Sequence, residues 1–173
     1  MKIEDHLRNI NESLSVIKES ILAGIQERQR NIGFNVSVAS VEMLEVFLHK
    51  NNIINPGALI KHDWFSSARK AEEKLKFDFP QKEKIIGLLT KIESKRNILC
   101  YGRQQPVEII KESLDDFNQI KSLCQEPPVT DWWHGNATLR VVLEHCQNST
   151  GYLNHSSQTS GILKFESLGL KWN

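Results

Sequence analysis

The sequence predicts an all-α protein, an antiparallel four- to five-helix bundle with an irregular C-terminal tail. Apolar residues recur at helical spacing through most of the first 126 residues. Short breaks rich in Asn, Pro and Gly separate the periodic stretches. Both the periodicity and the charge fall away after Pro128. Long amphipathic helices joined by short connections favour antiparallel neighbours.

The elements follow in order. Ile3, Leu7, Ile10, Leu14, Ile17, Ile21 and Ile25 recur at steps of three or four, one stripe along a first helix over 3 to about 29. Asn31-Ile32-Gly33 reads as the break after it. A second helix over about 34–50 carries Phe34, Val38, Val41 and Leu48, with Ala39, Met43, Val46 and Phe47 filling in between. A helix apolar on several sides belongs at the centre. Asn55-Pro56-Gly57 forms a turn. Trp64, Phe65, Ala68 and Leu75 define a third helix, with Asp63 as its cap. Pro80 opens a fourth, carrying Ile85, Leu88, Leu89, Ile92 and Leu99, and Gly102 stops it. Pro106 opens the fifth, with Val107, Ile110, Leu114, Phe117 and Ile120, and Pro127-Pro128 ends it.

The chain holds 22 basic and 21 acidic residues, a net charge of +1. General attraction to nucleic acid or to an anionic membrane is therefore not written into the composition, although a local basic patch is compatible with it. Only six of those charged residues lie in 127–173, which reads as a low-charge appendage to a bundle over 1–126, either a flexible tail or a small hairpin. The start of the chain lacks the apolar run of a secretory signal, and no window approaches the eighteen or so apolar residues of a membrane span. Cys100, Cys124 and Cys146 are odd in number and widely spaced, which fits free thiols in a reducing compartment. A cytoplasmic protein without membrane contact is expected.

Chemistry concentrates at the end of the fourth helix, Arg96-Asn97-Ile98-Leu99-Cys100-Tyr101-Gly102-Arg103. Arg96 stands four residues after Ile92 and seven after Leu89, on or beside the buried stripe. A guanidinium there needs a partner or a cleft. Asn97 and Tyr101 are spaced i, i+4 and share a face. A plainer reading stands beside this one, since cations near a helix C-terminus complement its dipole.

This layout, with Arg-Asn near the end of the penultimate long helix, resembles the HEPN family over roughly residues 3–126. The resemblance implies a compact helical homodimer. In the family's nucleases, R-x4-6-H motifs from two subunits meet and cleave RNA without metal. Other members are non-catalytic, or act as partners of small nucleotidyltransferases in toxin–antitoxin pairs. Arg96 matches the motif Arg and Asn97 the polar residue after it. The motif His falls on Tyr101 with four intervening residues and on Arg103 with six, and no His lies between His62 and His134. A free imidazole, with a pKa of about 6.5, accepts a proton at neutral pH, whereas a free phenol, at about 10, is ionised to only about one part in a thousand. General acid–base help is worth about 10² to 10⁴ in rate. The substitution therefore favours binding of RNA or a nucleotide over cleavage. On this reading Arg96, Asn97 and Arg103 bind the ligand, and Arg96, Asn97 and Tyr101 carry whatever catalysis remains. The alternatives are a non-catalytic partner of a nucleotidyltransferase and a metal-independent endoribonuclease.

Other features read as structural. Counting reversals in an up-and-down bundle puts the ends of the first and fourth helices at opposite poles, so Arg28 and Arg30 read as a solvated face remote from Arg96. His62-Asp63-Trp64-Phe65 reads as a cap and core. Trp132-Trp133-His134 with His145 and Cys146 fits no strong zinc spacing, and no cofactor loop or clearly spaced acidic cluster is present. No metal site and no cofactor are expected.

Overall fold

The computed structural model describes residues 1–124. They form five α-helices: α1 (Ile3–Leu22), α2 (Gln29–Lys50), α3 (Ala68–Lys74), α4 (Lys82–Tyr101) and α5 (Val107–Cys124), with a 3₁₀ turn at His62–Ser66. There is no strand among the described residues. The tail expected over 127–173, with its Trp132 to Cys146 cluster, lies outside them.

The first helix is shorter than its stripe suggests. α1 buries Ile10, Ile17 and Ile21 against α2 but ends at Leu22. Gly24, at φ +122, takes the chain out of the helix in a conformation that side chains resist. Ile25 and Arg28 therefore fall in the turn, and the break expected at Asn31-Ile32-Gly33 lies inside α2. Gly33 serves a different end. A Cβ there would stand 2.8 Å from the Leu99 Cβ, so the glycine lets α2 and α4 approach closely. Glycine costs a helix interior about 1 kcal/mol, and close packing offsets that here.

α2 is the central element and packs on α1, α4 and α5. Ile32, Val36, Ala39, Leu44 and Leu48 are fully buried. Burial of each large apolar side chain contributes about 1.5–3 kcal/mol. Against the expectation that no window approaches a membrane span, α2 is, among the described helices, long and apolar enough to cross a membrane by length and composition, and 78% of that window is buried inside the bundle.

The third helix is broken in two. Ser67 is extended (φ −157, ψ 152) between the 3₁₀ turn and α3. Its hydroxyl accepts from the Lys70 N–H at 3.2 Å, so Ser67 is the cap rather than Asp63. Asp63 accepts from Lys70 Nζ at 3.0 Å, and this pairing holds its carboxyl below the usual range. Phe65, Ala71 and Leu75 are the buried anchors of the segment.

α4 begins after Gln81 and ends at Gly102. A Cβ at Gly102 would collide with the Ile98 carbonyl oxygen. A carbonyl in the last turn of α4 and one in the loop after it are satisfied from α2. Gln29 Nε2 donates to the carbonyls of Leu99 (2.9 Å) and Arg103 (3.2 Å), while its Oε1 accepts from the Gln105 N–H (2.7 Å). One buried amide thus clamps the α4–α5 connection to the start of α2. Lys95 Nζ reaches Asp116 (2.8 Å) and Glu112 (3.2 Å), tying α4 to α5.

Candidate functional site

Two contacts fix the facing of α2 and α4 where the chemistry lies. Gly33 lies against Leu99 and Cys100, and Ser37 reaches Glu93. Glu93 stands one turn before Arg96 and is buried. A buried carboxylate needs donors, and Glu93 has three partners. Ser37 Oγ donates to Oε2 at 2.9 Å. Arg96 donates an N–H to Oε1 at 3.0 Å, and His62 Nδ1 lies 3.3 Å from the same oxygen.

The guanidinium of Arg96 gathers the rest of the helix end. Its side chain is only 12% exposed. Beyond Glu93, it donates to Asn97 Oδ1 at 3.1 Å and to the Tyr101 hydroxyl at 3.3 Å. It also lies 5.5 Å from the centre of the Tyr101 ring, within cation–π range. Tyr101 itself is 74% exposed and covers Arg96 from the solvent side. Three of the five N–H groups of the guanidinium are used in hydrogen bonds among the described residues.

Arg96, grouped with Asn97 and Tyr101 in the sequence by helical spacing, thus contacts both of them. Arg103 is tethered through its carbonyl, which accepts from Gln29 and Gln105, while its side chain is exposed. Arg30 requires a correction. α3, with only seven residues, is too short to reverse the chain across the bundle as a full helix would, and the carbonyl of Arg30, near the start of α2, accepts from Cys100 Sγ at 3.5 Å. It therefore stands at the same pole as Arg96, not the opposite one. Cys100 lies between them. Burial pushes its thiol up, opposed by Arg96, reinforced by Glu93 and opposed again by Arg30. A thiol held protonated is a poor nucleophile.

Sequence reasoning missed His62, Glu93 and Ser37. Glu93 was legible in principle, because a carboxylate three residues before an Arg on the same helix is positioned to pair with it. His62 and Ser37 lie on other elements, and only the packing of α2 and the 3₁₀ turn against α4 brings them in. The cluster joins an acid, a guanidinium, an imidazole, an amide and a phenol. That set suits binding an anion at the surface and moving a proton beside it.

No family model matches the chain, and it has no match among curated proteins or among solved structures.

Proposed function

We propose that this chain is a HEPN-like antiparallel bundle that forms a homodimer and binds RNA or a nucleotide phosphate in a cleft around Arg96. The observation that carries the reading is the near-buried guanidinium, fixed from behind by Glu93 and fronted by Asn97 and the exposed Tyr101. A guanidinium already oriented loses little rotamer freedom on meeting phosphate, and its planar fork matches phosphate oxygens. Arg96 takes the phosphate, Asn97 orients it, and Tyr101 swings from Arg96 to donate a hydrogen bond or stack on a base. Arg103 adds positive charge at the rim. Exposed Phe34, Ile98 and Tyr101 supply apolar surface for the second subunit.

Metal-independent endoribonuclease action is the second reading, and His62 favours it. The family motif's His is absent from α4, but His62 presents an imidazole to the same carboxylate oxygen that holds Arg96. His62 would take the 2′-hydroxyl proton while Arg96 steadies the charge on the phosphorane.

One experiment tests both. Fluorescent single-stranded RNA is titrated with the wild type and with Arg96→Ala, Tyr101→Phe and His62→Ala, and the products are resolved on a gel. Binding is expected to weaken by about tenfold or more in Arg96→Ala, with a shallower salt dependence. Cleavage that falls about 10² to 10⁴-fold in His62→Ala while binding persists establishes the nuclease reading. If wild-type protein binds neither RNA nor nucleotides, both readings fail.

A further inference from the structure

Away from Arg96, α1 and α2 cross at a second cluster. His6 Nδ1 lies 2.5 Å from Glu42 Oε2 and 3.3 Å from Glu45 Oε2. Glu42 and Glu45 are i, i+3 on α2 and share a face. One donor atom from each of the three residues lies within 4.8 Å of the others. His6 is wholly buried, Glu45 is 1% exposed and Glu42 13% exposed. Two carboxylates gathered in such a place repel one another; Glu45 also accepts from the Ile60 N–H at 2.5 Å and Glu42 from Asn9 Nδ2 at 3.1 Å, but His6 is the one group among these that could carry a counter-charge.

A separate observation concerns nitrogen. His6 Nε2 and His49 Nε2 are both buried without a hydrogen-bond partner among the described residues. The His49 ring lies 5.4 Å from the His6 ring, and the residue is 8% exposed. His49 follows Glu45 by one helical turn. A buried polar atom left unpaired is destabilising, and here two imidazoles stand side by side with one each. The carboxylate oxygens of the crossing all have neighbours, so the atoms left over are the two imidazole nitrogens.

We propose that His6 Nδ1, Glu42 and Glu45 bind one divalent transition-metal ion of the zinc class, with His49 as the outer partner of His6. Mixed imidazole and carboxylate donors suit Zn²⁺, Co²⁺, Mn²⁺ and Fe²⁺, rather than the all-oxygen cations or soft Cu⁺. The proton balance closes within the cluster. His6 Nδ1, which now donates to Glu42, gives its lone pair to the ion, and its ring proton moves to Nε2. The unpartnered Nε2 of His49 then accepts that N–H after a small ring rotation. Ligating histidines are held in this way by an acceptor on their far nitrogen. Glu42, at the partly exposed rim, is the entry point. Three protein ligands leave one coordination position for water. Because α1 packs chiefly on α2, the ion pins the N-terminal helix to the bundle.

The test uses the full chain after treatment with chelator. Zn²⁺ is titrated calorimetrically and Co²⁺ by its visible absorption. One ion per chain is expected, with a rise in melting temperature on addition of Zn²⁺. Glu42→Gln, isosteric and at the rim, and His6→Gln are expected to weaken binding by more than about 100-fold, and His49→Phe by about 10 to 100-fold. Circular dichroism establishes that each variant is folded, and Glu42→Gln carries the test if His6→Gln does not fold. Absence of stoichiometric Zn²⁺ or Co²⁺ binding overturns the proposal. So does binding that persists in folded Glu42→Gln and is lost in His145→Ala.

Discussion

Glu93 is the residue on which the Arg96 cluster depends. It is buried and accepts from a serine and a guanidinium, with an imidazole beside it. Removing an acid and removing its cation are not equivalent changes here. Glu93→Ala leaves a largely buried guanidinium without its counter-charge, and loss of one partner of a buried pair costs about 3–5 kcal/mol. Arg96→Ala leaves Glu93 with Ser37 and His62, which still stabilise the carboxylate. Urea unfolding is therefore expected to find Glu93→Ala clearly less stable than Arg96→Ala. The reverse order would mean that Arg96, not Glu93, organises the site. Asn97 and Tyr101 sit outside this hierarchy, because they contact Arg96 from the solvent side.

At the scale of elements, the α2–α4 contact positions the site. Gly33 permits the approach, and Gln29 ties the end of α4 to the beginning of α2. Gly33→Ala pits a gain in helix propensity against a Cβ 2.8 Å from Leu99, and overpacking of this kind costs about 1–3 kcal/mol. The propensity gain is only about 1 kcal/mol, so net destabilisation is expected by thermal or urea unfolding. A more stable variant would show that the two helices separate cheaply. This contact was not legible in the sequence. Gly33 after Asn31-Ile32 reads as a stop, because local chemistry is all that a sequence window holds. The true stop, Gly24, was hidden by Ile25, which continues the apolar spacing of α1 into the turn.

At the scale of the whole molecule, the described residues form an all-helical bundle around α2. Apolar side chains remain exposed on the two helices that frame the site: Phe34 on α2, and Ile98 and Tyr101 on α4. The dimer proposal assigns them to the subunit contact. Sedimentation equilibrium is expected to give a dimer for the wild type and a monomer for Ile98→Glu, since a charge buried at a contact strongly disfavours association. A wild-type chain that sediments as a monomer would remove the shared cleft and leave Arg96 to act within one subunit.

The sequence by itself determined the helical class, the central place of the apolar second helix, and the grouping of Arg96, Asn97 and Tyr101. All three follow from spacing within a single helix, and the helical repeat converts spacing into direction. The tertiary structure alone decided which elements meet. It brought His62 and Ser37 to Glu93, set Arg30 at the same pole as Arg96, and gathered His6 with Glu42 and Glu45 across two helices. Such meetings depend on crossing geometry and on where each helix ends. The seven-residue α3 does not carry the chain across the bundle as a full helix would, which is why Arg30 meets the end of α4. Arg96, first legible as a lone cation beside an apolar stripe, became the centre of a cluster once α2 and the 3₁₀ turn had closed over α4, because a buried guanidinium must recruit its acceptors from whatever packs around it.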